Sequence, residues 1–321
     1  MEVLSNNLAH PTLPALTAGM AEPVVLTGGS VCDLAALDPE QLRQLHWREE
    51  QVLARRIAEA PKGSRQRDVA TRLAYDTIAR ILAVRNRGAC QPLAMGMDAR
   101  YERLVLGLLR RQARRVRPSL FEIGFGAGFL LKAVAEQGFE VGGVEVSGAL
   151  YRRACDLLRP GCRERLFVGD VRTIAKSQPH RHSLVYWNDV FEHIPRDEIL
   201  EYLEAIRSML MPGGLLVTLT PNWHLRPSDI TREFRPPRHE AVGLHLKEYT
   251  LREVTDLLRR AGFTSVRVPL FKTYHRAVLC GAGLGGLKRL LEPALEWLPF
   301  RMAEIVCRGL CLDWTIAVAG G

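Results

Sequence analysis

Beyond Pro118, short apolar runs of strand length alternate with amphipathic stretches of helix length. That alternation leaves few options. Each helix of about 10–15 residues must cross over the sheet to join parallel strands, and both sheet faces end up covered. The apolar runs fall at 119–123, 140–146, 165–168, 183–187, 214–220, 265–270 and 312–319. Helical stretches fall at 129–137, 148–158, 197–209 and 250–261. The pattern predicts an α/β fold with a mostly parallel sheet. Residues 276–310 form an apolar-rich helical insert before the last strand.

The first third has a different texture. Residues 1–34 are rich in Ala, Pro, Thr and Gly without a sustained period and read as a loose, flexible arm. From Asp38 onward Leu42, Leu45, Trp47, Val52, Leu53 and Ile57 recur at helical intervals until Pro61-Lys62-Gly63 stops the run. A second helix over 66–85 carries Val69, Leu73, Ile78, Ile81 and Leu82, and Asn86-Arg87-Gly88 ends it. A third over 98–116 carries Leu104, Val105, Leu108 and Leu109.

Composition removes whole classes. The chain has 321 residues, 47% hydrophobic and 25% charged, which excludes a disordered or collagen-like polypeptide. Its seven cysteines are odd in number and form no C-x-x-C, against a zinc ribbon or a secreted disulfide framework. No apolar run reaches the roughly 18 residues of a membrane span. The N-terminus lacks a basic region followed by an apolar stretch, so a cytoplasmic location is expected. Residues 35–118 hold 18 basic and 9 acidic residues, and therefore carry the whole net charge of +9. Their densest run is Arg110, Arg111, Arg114, Arg115 and Arg117. Such a face can attract nucleic acid, anionic lipid or an anionic substrate; the plainer reading is a solvated helix face whose arginines suit a helix C-terminus.

Chemistry enters at Glu122-Ile123-Gly124-Phe125-Gly126-Ala127-Gly128, which follows the first strand and opens a helix. Alternate glycines let backbone approach a ligand with no side chain in the way. A dinucleotide fingerprint would put its third glycine at Phe129, and a P-loop would need Gly-Lys-Ser/Thr, so both patterns fail. The run resembles the acidic-x-Gly-x-Gly-x-Gly signature of class I S-adenosylmethionine-dependent methyltransferases. Glu145 follows at the end of the second strand, Gly169-Asp170-Val171 after the third and Asn188 to His193 after the fourth. Leu210-Met211-Pro212-Gly213-Gly214 leads into the fifth.

The resemblance covers about 118–275 and resumes at the final strand. It implies a Rossmann-like seven-stranded sheet with the last strand antiparallel, and S-adenosylmethionine as cofactor. Glu122, Gly124, Gly126 and Gly128 would form the cofactor loop. Glu145 would hold the ribose hydroxyls, Asp170 and Val171 the adenine edge, and Asn188 the pocket mouth. Residues 118–321 are then the methyltransferase domain and 35–117 a helical lid. Trp47, Tyr75, Met95, Met97 and Tyr101 would supply either a substrate wall or plain core under that lid. The insert 276–310 is expected to cover the acceptor pocket, with peripheral contact to a membrane or a second subunit as alternatives.

Methyl transfer needs an aligned acceptor and, for a hydroxyl, a base or a held oxyanion. Asp189, Glu192 and His193 share one face of a helical turn. They resemble the E-x-x-E-H element of the quinone-biosynthesis O-methyltransferases, itself similar to a divalent-metal site. Asp in place of the first Glu shortens one arm, so no metal is assigned. His193 is either a base or a histidine packed beneath the cofactor loop. His245 and Tyr249 precede the helix 250–261, on the family's substrate side, although Thr250 with Glu253 is also a capping box. Asn222, His224, Asp229 and Arg232 line either a polar acceptor site or a solvated loop. His180 and His182 read as surface.

The expected activity is methylation of a small molecule, at oxygen. Nitrogen or carbon methylation, and RNA methylation through the basic segment, are the alternatives. Against nucleic acid, neither an Asp/Asn-Pro-Pro-Tyr/Phe motif nor a nucleophilic Cys beside Pro follows the fourth strand. A non-catalytic cofactor-binding partner protein is the reading from another class.

Overall fold

The computed structural model describes residues 23–85, 99–270 and 284–320. A hairpin of β1 (Val24–Val25) and β2 (Val31–Cys32) precedes the long helices α1 (Pro39–Glu59) and α2 (Arg65–Arg85). After α3 (Ala99–Gln112) come β3 (Ser119–Ile123), α4 (Phe129–Glu136), β4 (Glu140–Glu145), α5 (Gly148–Leu157), the short α6 (Pro160–Arg163), β5 (Leu166–Val168) and α7 (Val171–Ala175). Then follow β6 (His182–Asn188), α8 (Ile199–Met209), β7 (Leu210–Leu219), α9 (Leu251–Arg260), β8 (Phe263–Arg267), α10 (Gly285–Leu291), α11 (Phe300–Gly309) and β9 (Trp314–Ala319).

Seven strands form one sheet in the order β5-β4-β3-β6-β7-β9-β8. β3, β4, β5, β6 and β7 pair in parallel. β9, the last in the chain, runs antiparallel to both β7 and β8. This is the expected α/β sheet with an antiparallel last strand. Its central strands read as near-continuous apolar runs because both faces are covered. Leu120, Leu184, Tyr186 and Val217 face α3, α4 and α5, packing with Leu104, Val105 and Leu109, and with Leu131 and Ala154. Phe121, Ile123, Val185, Trp187 and Leu216 face α8 and α9, on Leu203, Ile206, Val254 and Leu258.

α1 and α2 form a helical hairpin with its own core of Leu42, Leu45, Leu53, Ile57, Ile78 and Ile81. Pro39 at the first turn and an Asp38–Gln41 capping box start α1. Pro61 and Gly63 separate the two helices, as the sequence requires.

Three expectations are corrected. Residues 23–34 are not a loose arm: Val24 and Leu34 are buried in the core of the helical hairpin, while residues 1–22 lie outside the described residues. α3 does not belong with α1 and α2. Its Leu104, Val105, Leu108 and Leu109 are core residues of the sheet domain. It also ends at Gln112, leaving Arg114, Arg115 and Arg117 exposed beyond its C-terminus. His182 is not a surface residue; it is 5% exposed at the start of β6, its ring 4.7 Å from that of Phe121. Strand pairing there outweighs the polar character of the preceding loop. Asn86, Arg87, Gly88, Met95 and Met97 lie outside the described residues.

Candidate functional site

A cavity of about 760 Å³ opens at the C-terminal ends of β3, β4 and β6. The strand order reverses between β3 and β6, and in open α/β sheets ligands bind at that reversal. α1 and α2 roof it with Glu50, Arg67, Thr71, Tyr75 and Ile78.

On the β3–β4 side the wall is backbone. Gly124 and Gly126 adopt φ +67° and +56°. A Cβ on Gly124 would sit 2.6 Å from Val190 Cγ2, so only glycine lets the loop pass. Glu145, at the end of β4, is buried. Its Oε2 accepts the Gly126 N–H at 2.8 Å and its Oε1 the Ser147 N–H at 3.0 Å. Burial pushes its pKa up, and those N–H bonds oppose the shift. Each carboxylate oxygen keeps a further acceptor position for a ligand hydroxyl. Asp170 and Val171 lie on the same wall. Asp170 Oδ1 caps α7 through Arg172 N at 2.7 Å, and Oδ2 accepts from Arg172 Nε at 2.9 Å and Tyr202 Oη at 3.1 Å. Asn188, also on the wall, donates Nδ2 to Asp189 Oδ2 at 3.0 Å.

Two expected cofactor residues are off the wall. Gly128 is the left-handed N-cap of α4, and a Cβ there would lie 2.9 Å from Ala154 Cβ; the glycine lets α4 pack on α5. Glu122 is buried in β3, with Oε2 lacking a hydrogen-bond partner among the described residues. Burial and the nearby charge of Glu145 push its pKa well up, which favours the neutral acid.

The other half of the cavity is ionisable. His193 and His245 lie edge to face, ring centroids 4.7 Å apart. His193 Nδ1 is 2.9 Å from the Leu244 carbonyl. A carbonyl only accepts, so Nδ1 carries the proton and Nε2 is left with its lone pair. Burial and the charge of His245 depress the His193 pKa to about 3. Burial alone would also lower His245. Its hydrogen bond to Glu248 (Nδ1–Oε1 2.9 Å) and the charges of Glu192 and Asp229 outweigh that and push it up to about 9. Ser228 Oγ donates to Glu248 as well. Glu192 is buried under the pair, with Oε2 accepting from Thr220 Oγ1 at 2.9 Å, and burial raises its pKa to about 8. The site thus sets a neutral imidazole beside an imidazolium.

The contacts that support these groups were not legible in sequence. Glu50 of α1 accepts the Leu244 N–H at 3.2 Å through Oε2, while its Oε1 binds His46 at 2.7 Å. Arg85 of α2 reaches His46 at 2.5 Å and makes a twin contact with Glu233 at 3.0 Å. Arg67, buried, reaches Asp197 and Glu198 at 2.8 and 2.9 Å. Asp76 accepts from Ser147 Oγ at 2.5 Å, next to Glu145. Nothing in helical periodicity distinguishes these charges from solvated ones.

Tyr249 is corrected as a catalytic candidate. It is 4% exposed, its ring 4.8 Å from Phe191 within the core under the site, and it does not line the cavity. Asp229 and Arg232 do line it, whereas His224 is turned away to Glu296 at 3.1 Å. Asn222 Nδ2 is committed to Glu292 at 2.7 Å. Trp47 stacks on Phe234 at 4.6 Å rather than on the cavity. An adjoining cavity of about 350 Å³ shares Asn188, Asp189 and Arg232, and is lined by Tyr101 and by Phe300, Glu304 and Arg308 of α11.

Glu192, His193 and His245 place one ligand atom each within 4.8 Å of one another. Glu192 Oε1 is buried without a hydrogen-bond partner among the described residues. A carboxylate and two imidazoles suit a divalent transition ion, and with Asp189 beside them the residues fit one.

A family profile described as a methyltransferase domain matches residues 93–268. The ubiquinone biosynthesis O-methyltransferase of Nitrosospira multiformis is 29% identical over 120 residues, which are 37% of this chain. The match spans 49%, about half, of that relative's length. Among solved structures, a SAM-dependent methyltransferase from Archaeoglobus fulgidus is 19% identical with a TM-score of 0.42, covering 68% of this chain and 94% of its own. A mitomycin 7-O-methyltransferase is 16% identical with a TM-score of 0.46, covering 89% and 74%.

Proposed function

The chain belongs to the methyltransferase-domain family, and from that premise we propose that it methylates a small-molecule acceptor at oxygen, with S-adenosylmethionine as donor. A single cavity joins the Gly124–Gly126–Glu145 cradle to the His193–His245 pair. Bound there, the sulfonium cofactor supplies an electrophilic methyl group.

The residues then divide the work. Glu145 accepts the ribose hydroxyls, and Asp170 and Val171 border the adenine. His193 Nε2 would take the acceptor hydroxyl proton and leave an oxygen lone pair aimed at the methyl group that the bound cofactor would supply. His245, cationic, stabilises the developing oxyanion, which offsets the low basicity of His193. The neutral-plus-cationic histidine pair favours an oxygen acceptor: a neutral amine brings its own lone pair and needs no oxyanion partner. α1 and α2 act as the lid that excludes water. A divalent ion held by Glu192, His193 and His245 would use the His193 Nε2 lone pair, and so would stand in place of both the imidazolium and the base by holding the acceptor oxygen as an oxyanion.

The test is acceptor screening by product mass with matched phenols, alcohols and amines. The expected result is a mass gain of one methyl on hydroxyl compounds, with turnover lost in His193→Ala and His245→Ala. Preference for amines, or full activity of both variants, contradicts the oxygen assignment.

A further inference from the structure

The insert between β8 and β9 presents a face that the reading above leaves unexplained. Lys288 is buried, and its Nζ donates to the carbonyls of Pro269, Leu270 and Leu310 at 2.5 to 2.6 Å. Glu292, also buried, accepts from Asn222 Nδ2 and from the Leu251 N–H. The insert is therefore fixed to the domain. Its outer side nevertheless carries Leu290 at 76% exposure, Trp297 at 86% and Ile305 at 67%, with Leu284, Leu291 and Met302 more than half exposed. A domain core would bury such side chains if it had room for them, and isolated exposed residues rarely gather on one segment.

The flanking charge selects the occupant. Arg289 of α10 lies near Arg252 and Arg259 of α9, and burial together with their repulsion disfavours its charge; Asp256, which pairs with Arg259 at 3.8 Å, and Glu292 are the acids that oppose this. Arg301 is exposed on α11. Two acids of the insert are ion-paired, Glu296 with Arg226 at 2.6 Å and Glu304 with Arg308 at 2.6 Å. A second copy related by a twofold axis would set this face against itself, arginine toward arginine. An anionic lipid surface relieves the repulsion and takes convex apolar side chains without needing a matching groove. Tryptophan at such a boundary keeps its N–H at the wet headgroup level. No helix of the described residues is long and apolar enough to cross a membrane, so the contact is peripheral.

We propose that the 284–310 insert docks the protein on anionic membrane surface. α11 lines the smaller cavity with Phe300, Glu304 and Arg308. Docking would therefore set the helix that walls this cavity on the lipid, with a lipid-borne acceptor as the substrate class. This last point rests on the proposed function; the docking itself does not.

The test is co-sedimentation of the full chain with vesicles of phosphatidylcholine alone or mixed with phosphatidylglycerol, without S-adenosylmethionine. The expected result is binding to the mixed vesicles, reduced at least about fivefold in Leu290→Ser/Trp297→Ser and in Arg252→Glu/Arg289→Glu. Melting temperatures of both double variants should match the parent. Absence of binding to mixed vesicles overturns the proposal. So does binding that neither pair of substitutions weakens. A dimer in sedimentation velocity that Trp297→Ser dissolves, without vesicle binding, assigns the face to a second copy instead. Because no methyl transfer is read, failure here leaves the enzymatic reading standing.

Discussion

The Leu244 peptide links the roof of the cavity to its chemistry: its N–H is bound by Glu50 and its carbonyl fixes the proton on His193 Nδ1. Replacing Glu50 with Gln should therefore lower kcat while leaving cofactor affinity nearly unchanged, and a loss confined to cofactor affinity would contradict that role. On the proposed assignment of Glu145 to the ribose hydroxyls, Glu145→Ala should weaken S-adenosylhomocysteine binding by about 2 kcal/mol in a titration. The buried histidines set a pH signature. His193 falls from 6.5 to about 3 and His182 to about 4, each because the folded state excludes the charged form. The unfolded chain binds those protons first, so their contribution is intact above pH 6.5 and is lost as pH falls toward the folded values. His245 has the opposite sign: raised to about 9, its contribution is complete below 6.5 and lost as pH rises through 9. His182 has neither ring nitrogen bonded among the described residues. His182→Leu, apolar and of similar size, should raise the melting temperature at about pH 5 more than at about pH 7.5; an equal or lower value under the acid condition would show that His182 is not an acid-sensitive burden. Gly124, Gly126, Glu145 and His193 were singled out by their places after strands and His245 by its place before α9, and all five line the cavity. His182 was not legible, since the same letters fit a polar loop and the first residue of a central strand.

Among elements, the strands and the helices that cover them followed from periodicity alone, because burial on both sheet faces forces apolar runs. Assignment of helices to layers did not. α3 carries the same apolar spacing as α1 and α2, yet it packs on α4 and the sheet, and only its partners reveal that. The roof helices are held by charge. Arg67 is buried between the Ala60 carbonyl, Asp197 and Glu198, and truncating one member of a buried pair leaves the other charge uncompensated. Arg67→Met should cost about 3–5 kcal/mol, with hydrogen exchange accelerated first in α1 and α2. Uniform destabilisation with no early opening of those helices would mean that the roof is not a separable unit. Asp76 joins α2 to Ser147 beside Glu145. Opening of α2 is thereby coupled to the Glu145 end of the cavity, so binding of S-adenosylhomocysteine there should slow exchange in α2 as well as in the glycine loop.

At the scale of the molecule, a parallel sheet with one antiparallel final strand positions a glycine cradle and a histidine pair on one cavity under a two-helix roof. Residues 35–118 carry a net charge of +9, but the structure divides them between roof and sheet layer, and their densest arginine run is exposed. The central claim is that this cavity is built for S-adenosylmethionine. Calorimetric titration of the full chain with S-adenosylhomocysteine, alongside NADH and the Glu145→Ala protein, tests it most directly. The account predicts binding on the order of micromolar for S-adenosylhomocysteine, roughly thirtyfold weaker in Glu145→Ala, and none for NADH. A folded sample that binds NADH, or binds S-adenosylhomocysteine equally well without Glu145, would contradict it.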